Sequence, residues 1–445
     1  MRWLSIALVI TACGDDASTT KNDAGGDGAI QPDAPMIGAT SCDPLPMPAG
    51  HIIDVTPADA ASLGNIVLGA QAGDVIRLAD GTYNVSAGVV MNISKPNVTL
   101  ISASRDASKV IIDGGAHVPG EIVQVSASNV TIAHITIKNA RDHLVHLYPG
   151  AAADLHGDLL YGLVLVDGGQ QFVKSNTDKS NAEFATAHFV DDVTVACSTF
   201  TMTPAGRAYV PTNPDNASYP CYTGGIDAHA ARGWLVRRNR FEGIYCDVNS
   251  LAEHAIHFWQ TGRDQIIEQN TLVENARGIG LGLGDGTGLL ERPYADNPHA
   301  SDKSGTYAGN YDGIIRNNFV YASVGAADCG ICLEQAMGTK VLANTVVYAT
   351  SAPGNAIEYR FPNSLVTFDN TIANIIKLRD NARGTLGHVQ LTPPLTQFVA
   401  PATGDLHLTA SATGALDQGG SLTDVTDDID GDARSNPPDL GADER

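Results

Sequence analysis

Basic residues are scarce in this sequence. Lys and Arg together number 27 against 49 Asp and Glu, and the formal net charge of the 445 residues is −22. Because binding to nucleic-acid phosphates depends on clustered Lys and Arg, this charge argues against duplex nucleic acid as a partner. It also argues against polyanions, unless basic residues gather locally. One local basic cluster lies between 232 and 240, and we interpret it as a solvated edge of the surface.

Long apolar runs are missing as well, with the exception of Trp3–Thr11 near the N-terminus. No other stretch is long enough to span a bilayer. The apolar run follows Arg2 and ends at Ile10-Thr11-Ala12-Cys13. It resembles a bacterial lipoprotein signal, in which the cysteine becomes the acylated first residue. This resemblance implies a signal peptide over 1–12 and lipidation of Cys13.

The segment after Cys13 is rich in Asp, Gly, Ala and Pro, most clearly from Thr19 to Met36. Such a composition cannot form an apolar core, so we predict a low-complexity tether over 13–48. Gly14 rather than Asp follows the cysteine, which by analogy with lipoprotein sorting indicates the outer membrane. We therefore expect a monomer of the cell envelope, held on the outer membrane or its extracellular face by the lipid anchor alone.

Six further cysteines are present, an even number that permits disulfides in an exported protein. The sequence does not give their connectivity, and Cys221–Cys246 is the favoured pair because these two residues flank one repeat. Cys329 and Cys332 form a CxxC motif without the βα context of a thioredoxin-like site. No further ligands stand at zinc spacing, so a structural or free pair is predicted.

A short pattern recurs five times: a small residue, Ile, any residue, usually an apolar residue, and any residue. Its isoleucines lie 30, 23, 52 and 26 residues apart. The copies are Gly225–His229, Ala255–Trp259, Gly278–Gly282, Gly330–Glu334 and Ala356–Arg360. Asparagines follow in register at Asn239, Asn270, Asn318, Asn344 and Asn370. A period in the twenties with alternating strands is typical of a coiled β-solenoid.

The order of the predicted elements gives the domain boundaries. Residues 50–70 are predicted to form a short helix, from Pro57 to Leu68, which caps the open N-terminal end of the solenoid. The solenoid is predicted over 49–395 and a turn-rich closure over 396–445. Two stretches exceed the period, around 203–222 and 284–312, and we predict loop insertions there, which in solenoids often lie on the binding face.

These repeats and asparagines resemble the right-handed parallel β-helix, or pectin-lyase-like, superfamily, which has Asn ladders in its turns. Gly73–Tyr83 is similar to the opening of the chondroitinase B and alginate lyase family. The resemblance implies an all-β fold: a single-stranded right-handed parallel β-helix with an N-terminal capping helix and loop insertions. Each ladder amide would bond to the next turn and satisfy its backbone polar groups. Because lyases, hydrolases, epimerases and adhesins share this fold, it implies polysaccharide as a partner but leaves the activity open.

Strand alternation predicts which side chains leave the core. Since the Ile of each copy points inward, the third and fifth residues point outward and stack roughly 5 Å apart in two columns. The first column is His146, Lys174, Asp227, His257, Gly280, Cys332 and Glu358. The second column is Tyr148, Asn176, His229, Trp259, Gly282, Glu334 and Arg360. The glycines predict a flat floor beside the polar middle of this face.

Five residues of this face are the main candidates for function: Lys174, Asp227, His229, His257 and Trp259. Ionisable groups beside an aromatic platform suit a sugar chain, because sugar rings stack on the indole and hydroxyls bond to the polar groups. Lys174, His229 and His257 are candidate catalytic bases. Asp227 is expected to orient His257 or to help hold a cation, and Trp259 is expected to bind substrate.

Four further residues are candidates for substrate binding. Arg232 or Arg277 would neutralise a substrate carboxylate. Glu334 and Arg360 are neighbours in the second column, where a surface ion pair is the simpler interpretation. Because both point outward, Lys174 and His257 are expected to tolerate substitution without unfolding.

Three functions fit these residues, and a lyase that cleaves uronate-containing glycans by β-elimination is favoured. It needs a base, a group that neutralises the carboxylate and an acid for the leaving oxygen. The family resemblance implies a Lys base, an Arg partner and calcium. Lys174 has a counterpart in the site of that family, whereas no residue of this sequence matches the family's Arg. The cofactor therefore stays open, with calcium as the candidate.

The other two functions are a glycoside hydrolase and a non-catalytic, adhesive glycan-binding solenoid. A hydrolase needs two carboxyl groups, and Glu334 and Glu358 would stand roughly 8 Å apart by strand geometry. The Gly-His-Gly and Arg-Ile-Lys tripeptides of polygalacturonases are missing from the sequence. A lipid anchor and an acidic surface fit a binding protein as well as they fit an enzyme.

Overall fold

The computed structural model describes residues 42–88, 90–284, 289–305 and 307–445 of the protein. The predicted signal peptide, Cys13 and the part of the predicted tether before Cys42 lie outside these residues. Cys42 is disulfide-bonded to Cys197, and the Tyr161 hydroxyl donates to the carbonyl of Asp43 at 2.7 Å. The chain is therefore fastened to the folded body from Cys42 onward. None of the helices within the described ranges has the length and apolar character needed to cross a bilayer.

Three long parallel sheets form the body of the protein. Sheet A has 14 strands: Ile52–Val55, Val75–Leu78, Thr99–Ser102, Thr131–Ala133, Leu159–Tyr161, Thr194–Ala196, Leu235–Arg237, Gly262–Arg263, Ile266–Glu268, Asn310–Tyr311, Ile314–Arg316, Ala336–Leu342, Leu365–Asp369 and Arg383–Leu386. Sheet B has 11 strands: Gly81–Asn84, Val110–Asp113, Thr136–Lys138, Val164–Val166, Thr199–Thr201, Arg240–Glu242, Thr271–Val273, Phe319–Ala322, Thr345–Tyr348, Thr371–Ala373 and Val389–Leu391. Sheet C has 10 strands: Met91–Ile93, Glu121–Val125, His143–Leu147, Gln171–Ser175, Gly224–His229, His254–Trp259, Arg277–Leu281, Cys329–Glu334, Asn355–Arg360 and Ile376–Leu378.

The remaining elements are short. Two small strand pairs join Leu155–His156 to Val190–Asp191 and Phe398–Ala400 to Asp405–Leu408. The α-helices are Leu63–Gly69 and Pro204–Tyr209, and the 3-10 helices are Pro57–Ser62, Asn181–Thr186, Val210–Thr212, Pro214–Asn216, Leu395–Gln397 and Pro401–Thr403.

From Val75–Leu78 onward each turn of the coil passes through sheets A, B and C in that order, and two turns contribute two short consecutive strands to sheet A. The protein is an all-β, right-handed parallel β-helix, as predicted, and right-handed crossovers are the rule for parallel strands. The inward side chains are mainly Val, Ile, Leu, Phe and Ala, and they form one continuous core from Val55 to Ala382. Each turn of the coil buries its apolar face against its neighbours, which explains the period of the sequence.

The N-terminal end of the coil is closed by a helical segment, as predicted. The 3-10 helix Pro57–Ser62 leads into the α-helix Leu63–Gly69, whose Leu63 and Val67 side chains are buried in the core. A strand that was not predicted, Ile52–Val55, precedes it and pairs with Val75–Leu78.

The predicted asparagine ladder is present between sheets A and B. The backbone amide of Asn239 donates to Oδ1 of Asn270 at 3.0 Å, Asn270 donates to Asn318 at 3.0 Å, and Asn318 donates to Asn344 at 3.1 Å. One turn earlier, Ser198 takes the equivalent position and donates its amide to Asn239 Oδ1. Asn370 departs from the pattern: its side chain bonds to Gly420 in the C-terminal segment.

Disulfides join the six cysteines of the described residues in three pairs. The favoured pair Cys221–Cys246 is confirmed, and Cys329 pairs with Cys332. The third pair, Cys42–Cys197, was not predicted. Cys221 and Cys246 lie in the loops that lead into two adjacent strands of sheet C, so this disulfide ties the two loops together.

Candidate functional site

The outer face of sheet C places the first predicted column in register. His146 is paired with Lys174, Lys174 with Asp227, and Asp227 with His257. The column continues through Gly280, Cys332 and Glu358. In the second column, His229 is paired with Trp259 and Glu334 with Arg360. The five main candidates therefore come together on three adjacent strands.

A third column lies on the same face and was not predicted. Ala255 and Ile256 both belong to the core, so strict alternation is broken and His254 returns to the outer face. The rings of His254 and His257 stand 4.3 Å apart, measured between centroids. By strand register, this column consists of His143, Gln171, Gly224, His254 and Arg277. The sequence signal for it was a polar residue two positions before three of the five isoleucines, at His254, Arg277 and Asn355.

A buried ion pair forms the centre of the site. The Lys174 ammonium donates to Oδ2 of Asp227, and it also lies 2.9 Å from Nε2 of His229. The indole Nε1 of Trp259 donates to the other oxygen of Asp227, Oδ1, at 2.7 Å. Both carboxylate oxygens are thus bound, which fixes the orientation of Asp227 beneath the two side chains of the second column.

The electrostatics of the site follow from this arrangement. Burial alone would lower the pKa of Lys174, but the Asp227 carboxylate raises it above its ordinary value. Burial alone would raise the pKa of Asp227, but the Lys174 ammonium holds it well below its usual range. Burial and the same ammonium lower the pKa of His229 to about 4. At neutral pH an ammonium–carboxylate pair therefore lies beside a neutral imidazole.

A chain of polar side chains extends from His229 along the second column. Nδ1 of His229 lies 3.3 Å from the amide of Asn176, and that amide lies 3.0 Å from Nε2 of His146. Nδ1 of His146 in turn bonds to Glu121 at 2.7 Å. The orientation of His229 is therefore set from both ends, by Lys174 at one ring nitrogen and by Asn176 at the other.

The glycine floor is less open than predicted. A Cβ atom at Gly280 would lie 2.6 Å from Cδ2 of His254, so this glycine makes room for the His254 ring. Gly282 has a φ of +78°, and its carbonyl accepts from Nε2 of His257 at 3.0 Å. The glycines thus position the two histidines, and His257, which is 1% exposed, is a buried positioning residue.

The central side chains of the first column point outward, as predicted, but they are buried. Lys174 and Asp227 are 4% and 3% exposed, although both point away from the core of the coil. The loop over 203–222 passes beside them, and its Tyr222 lies close to Lys174, as does Glu253. The Tyr219 hydroxyl donates to the carbonyl of Leu251, and the Cys221–Cys246 disulfide joins the same two loops. The second column, with Trp259 half-buried, is the solvent side of the site.

The two candidate arginines occupy different places. Nε of Arg277 bonds to Asp328 at 2.9 Å, and Arg277 is paired in register with His254 at the edge of the site. Arg232 bonds to Asp264 at 2.9 Å and to Asp296 at 3.0 Å, where it anchors the second insertion. Only Arg277 is thereby brought next to the central histidines.

Glu334 and Arg360 form the ion pair that was the simpler interpretation. Nη1 of Arg360 lies 3.3 Å from Glu334, and its Nε lies 3.7 Å from Glu358. Glu358 also accepts from Arg379 at 2.6 Å. The two carboxylates of the hydrolase hypothesis are therefore bridged by a guanidinium group, an arrangement that leaves no room between them for a sugar bond and a water.

A surface cavity of about 530 Å³ lies elsewhere, against Arg238, His407 and Asp430. Both ring nitrogens of His407 are already bonded, to Asp405 at 2.6 Å and to Asp430 at 2.9 Å. The cavity therefore offers no free base, and the chemistry is concentrated on sheet C.

The fold defines this chain as a right-handed parallel β-helix protein. Comparison with models of protein families finds no match, and comparison with curated proteins finds none either. Among solved structures, an alginate lyase from Paenibacillus sp. strain FPU-7 aligns with a TM-score of 0.50 at 16% identity, over 76% of this chain and 99% of that one. This likeness shows the shared fold.

Two further solved structures align at lower scores. A mannuronic acid specific polysaccharide family 6 lyase from human gut microbiota has a TM-score of 0.40 at 10% identity, over 77% of this chain and 80% of its own. A mannuronan C-5 epimerase module from Azotobacter vinelandii has a TM-score of 0.40 at 12% identity, over 78% of this chain and 97% of its own.

Proposed function

We propose that this protein is carbohydrate-active and that it is a polysaccharide lyase, which cleaves uronate-containing glycans by β-elimination. The observation that supports this is the 2.9 Å contact between Lys174 Nζ and His229 Nε2 above a buried carboxylate. It places a buried cation beside a neutral base that lies on the solvent side of the site. The half-buried Trp259 beside them offers a surface for a sugar ring.

In the proposed reaction the Lys174 ammonium binds the uronate carboxylate and stabilises the negative charge that develops on it. When the ammonium turns from Nε2 of His229 to the substrate carboxylate, the lone pair of that nitrogen becomes free. It then accepts the proton from C5 of the uronate. The electrons of the C5–H bond form the C4–C5 double bond, and those of the C4–O bond leave with the oxygen. Because burial and the Lys174 ammonium lower the pKa of His229 to about 4, its imidazole is neutral at neutral pH and carries a free lone pair.

The same pair of side chains restores the starting state. The leaving oxygen takes a proton from the Lys174 ammonium, and the proton on His229 returns to Lys174 over their 2.9 Å contact. Asp227 is a positioning residue that holds the ammonium, and Trp259 orients Asp227 through its indole N–H. Protons and electrons balance without an external acid or oxidant.

The test is the ultraviolet absorbance of unsaturated uronate when the protein is mixed with alginate, polygalacturonate or a glucuronate polymer. We expect the absorbance to rise with at least one of them and to stay flat with the same polymer after its carboxylates are reduced. His229→Gln and Lys174→Met should lower kcat/KM by about 100-fold or more. His388→Gln, whose side chain is 52% exposed and distant in sequence from the site, is the control.

Two results would contradict the lyase proposal. New reducing ends without a double bond would indicate hydrolysis. Binding of a polymer without any cleavage, weakened by Trp259→Ala, would indicate a glycan-binding protein instead. Circular dichroism of each variant confirms that a loss of activity is not a loss of fold.

We also propose that the chain is exported and held at the outer membrane through a lipid on Cys13. The sequence from Arg2 to Gly14 supports this proposal. Labelled palmitate should enter the wild-type chain but not Cys13→Ala, and the wild-type chain should fractionate with the outer membrane. Equal labelling of the two chains would overturn the proposal.

A further inference from the structure

Three side chains beside the Lys174–Asp227 pair have the composition of a metal site. One donor atom from each of Glu253, His254 and His257 lies within 4.8 Å of the other two. Nδ1 of His254 and Nδ1 of His257 both lie 3.9 Å from Oε2 of Glu253. Ligands bound to one ion at about 2.0–2.2 Å stand somewhat closer together than this, so a small contraction would complete the set.

The orientation of His257 is the first observation that indicates a ligand. Its Nε2 bonds to the carbonyl of Gly282 at 3.0 Å, and a carbonyl can only accept. In neutral His257 the proton is therefore on Nε2, and the lone pair of Nδ1 faces Asp227 at 3.7 Å and Glu253 at 3.9 Å. Three acceptors facing each other at these distances are stabilised by a cation between them. A backbone carbonyl bonded to the outer ring nitrogen is also the usual support of a metal-binding histidine.

The second observation is independent of the first. His254 is 4% exposed, and its Nδ1 has no hydrogen-bond partner among the described residues. An unpaired polar atom in such a place is unfavourable unless a ligand or water satisfies it.

We propose that Glu253, His254 and His257 bind one divalent transition-metal ion, of which Zn²⁺ is the best candidate. Two imidazoles and one carboxylate suit zinc and its neighbours in the first transition row, whereas calcium takes six to eight oxygen ligands. The donor set therefore favours a metal other than the calcium expected from the family resemblance.

The surrounding charges are compatible with a cation. Three carboxylates, Asp227, Glu253 and Asp328, stand against the two cations Lys174 and Arg277. Arg277 is itself engaged by Asp328 at 2.9 Å. A bound ion would fix the ring of His257. This ring lies beside Oδ1 of Asp227, the oxygen that Lys174 does not bond. This metal proposal does not depend on lyase activity, because its readouts are binding and spectra.

The test is metal titration of the purified full chain after treatment with a chelator. Zn²⁺ binding followed by calorimetry should show one tight site per chain, and Co²⁺ should give the visible absorption of a cobalt–histidine site. Excess Ca²⁺ should not displace either ion. Glu253→Gln, His254→Gln and His257→Gln should each weaken Zn²⁺ binding by about 100-fold or more, beyond the 10- to 100-fold typical of an outer-shell change.

His143→Gln is the matched control, because His143 is buried on the same column as His254 but lies outside the three-residue cluster. It should bind Zn²⁺ like the wild type. All titrations are repeated in a His407→Gln background, which removes the other group of potential ligands, His407, Asp430 and Asp443. Glu253→Gln, with a side chain 17% exposed, keeps the test valid if a histidine variant does not fold.

No uptake of Zn²⁺ or Co²⁺ by the folded wild-type chain would overturn the proposal. Equal uptake by Glu253→Gln and His143→Gln would overturn it too. The binding result does not depend on whether the protein shows lyase activity with or without the metal. The two proposals can therefore fail separately.

Discussion

Trp259 and Asp227 lie on adjacent strands, and the indole N–H of the first donates to Oδ1 of the second at 2.7 Å. The tryptophan therefore has a structural task in addition to the proposed one of offering a ring face to a sugar. It shares the Asp227 carboxylate with the Lys174 ammonium, which bonds to Oδ2. A residue expected to bind substrate thus also positions the charged group beneath it.

Trp259→Phe should separate these two tasks, because phenylalanine keeps a ring but cannot donate to Asp227. Loss of one hydrogen bond to a charged acceptor is expected to lower the free energy of unfolding by about 1.5–3 kcal/mol. Under the lyase proposal kcat should fall more than KM rises. Urea unfolding and steady-state kinetics measure the two effects. Trp259→His, which retains an N–H donor, is the comparison, and an unchanged stability in the phenylalanine variant would contradict the assignment.

Lys174→Met should be strongly destabilising, because it leaves the buried Asp227 carboxylate without its cation. The expected loss in the free energy of unfolding is about 3–5 kcal/mol. Lys174→Met combined with Asp227→Leu should recover most of that loss, since the unpaired charge is then removed as well. Chemical denaturation of the two single variants and the double variant forms a double-mutant cycle. Additive losses would show that the two side chains do not interact.

Stability should fall as the pH drops below about 6.5, the ordinary histidine pKa. Burial lowers the pKa of His143 to about 3, and burial with the Lys174 charge lowers that of His229 to about 4. Between these values and 6.5 the unfolded chain binds more protons than the folded one, so acid favours unfolding. The slope is up to about 1.4 kcal/mol per pH unit for each histidine.

Urea unfolding at several pH values measures this slope. The range from neutral pH to about pH 5 is suitable because it includes the ordinary His pKa. His229→Gln should reduce it by up to the contribution of one histidine. The low pKa of Asp227 makes its own contribution present above about 3.9 and lost only in stronger acid. A flat profile between neutral pH and about pH 5 would contradict the neutral state of the buried histidines.

Asn270→Ala should break the ladder at its centre. Asn270 accepts from Asn239 at 3.0 Å and donates to Asn318 at 2.9 Å, and both neighbours are buried. Leaving these groups unpaired is expected to cost about 3 kcal/mol, which urea unfolding would detect. Asn370→Ala is the matched comparison, because it should loosen the segment around Gly420, visible by limited proteolysis, while the turns of the coil stay intact.

The recurring isoleucine was sufficient to predict the coil and the register of its outer face. Each copy buries Ile on the same side, so Asp227 and His257 could be placed side by side before any coordinates. His254 was not placed with them, because two consecutive core residues, Ala255 and Ile256, interrupt the alternation. A period-two pattern cannot indicate where such an interruption falls.

The burial of the site was not predictable from the repeat. The loop over 203–222 has no period, and its path beside Lys174 depends on tertiary contacts such as the Tyr219 hydroxyl on Leu251. The ion pairs of Arg232 likewise depend on where the second insertion returns to the body. Local patterns predict strands and columns, whereas loops are set by whatever surface they meet.

The asparagine ladder makes chain length and geometry independent of each other. Successive ladder residues are 31, 48 and 26 positions apart, yet their amide contacts measure 3.0, 3.0 and 3.1 Å. Each turn of the coil begins at the same ladder position, whatever the length of the loop in the preceding turn. Loops between the turns can therefore be lengthened, shortened or exchanged by design, while the side chains on the outer face of sheet C keep their register.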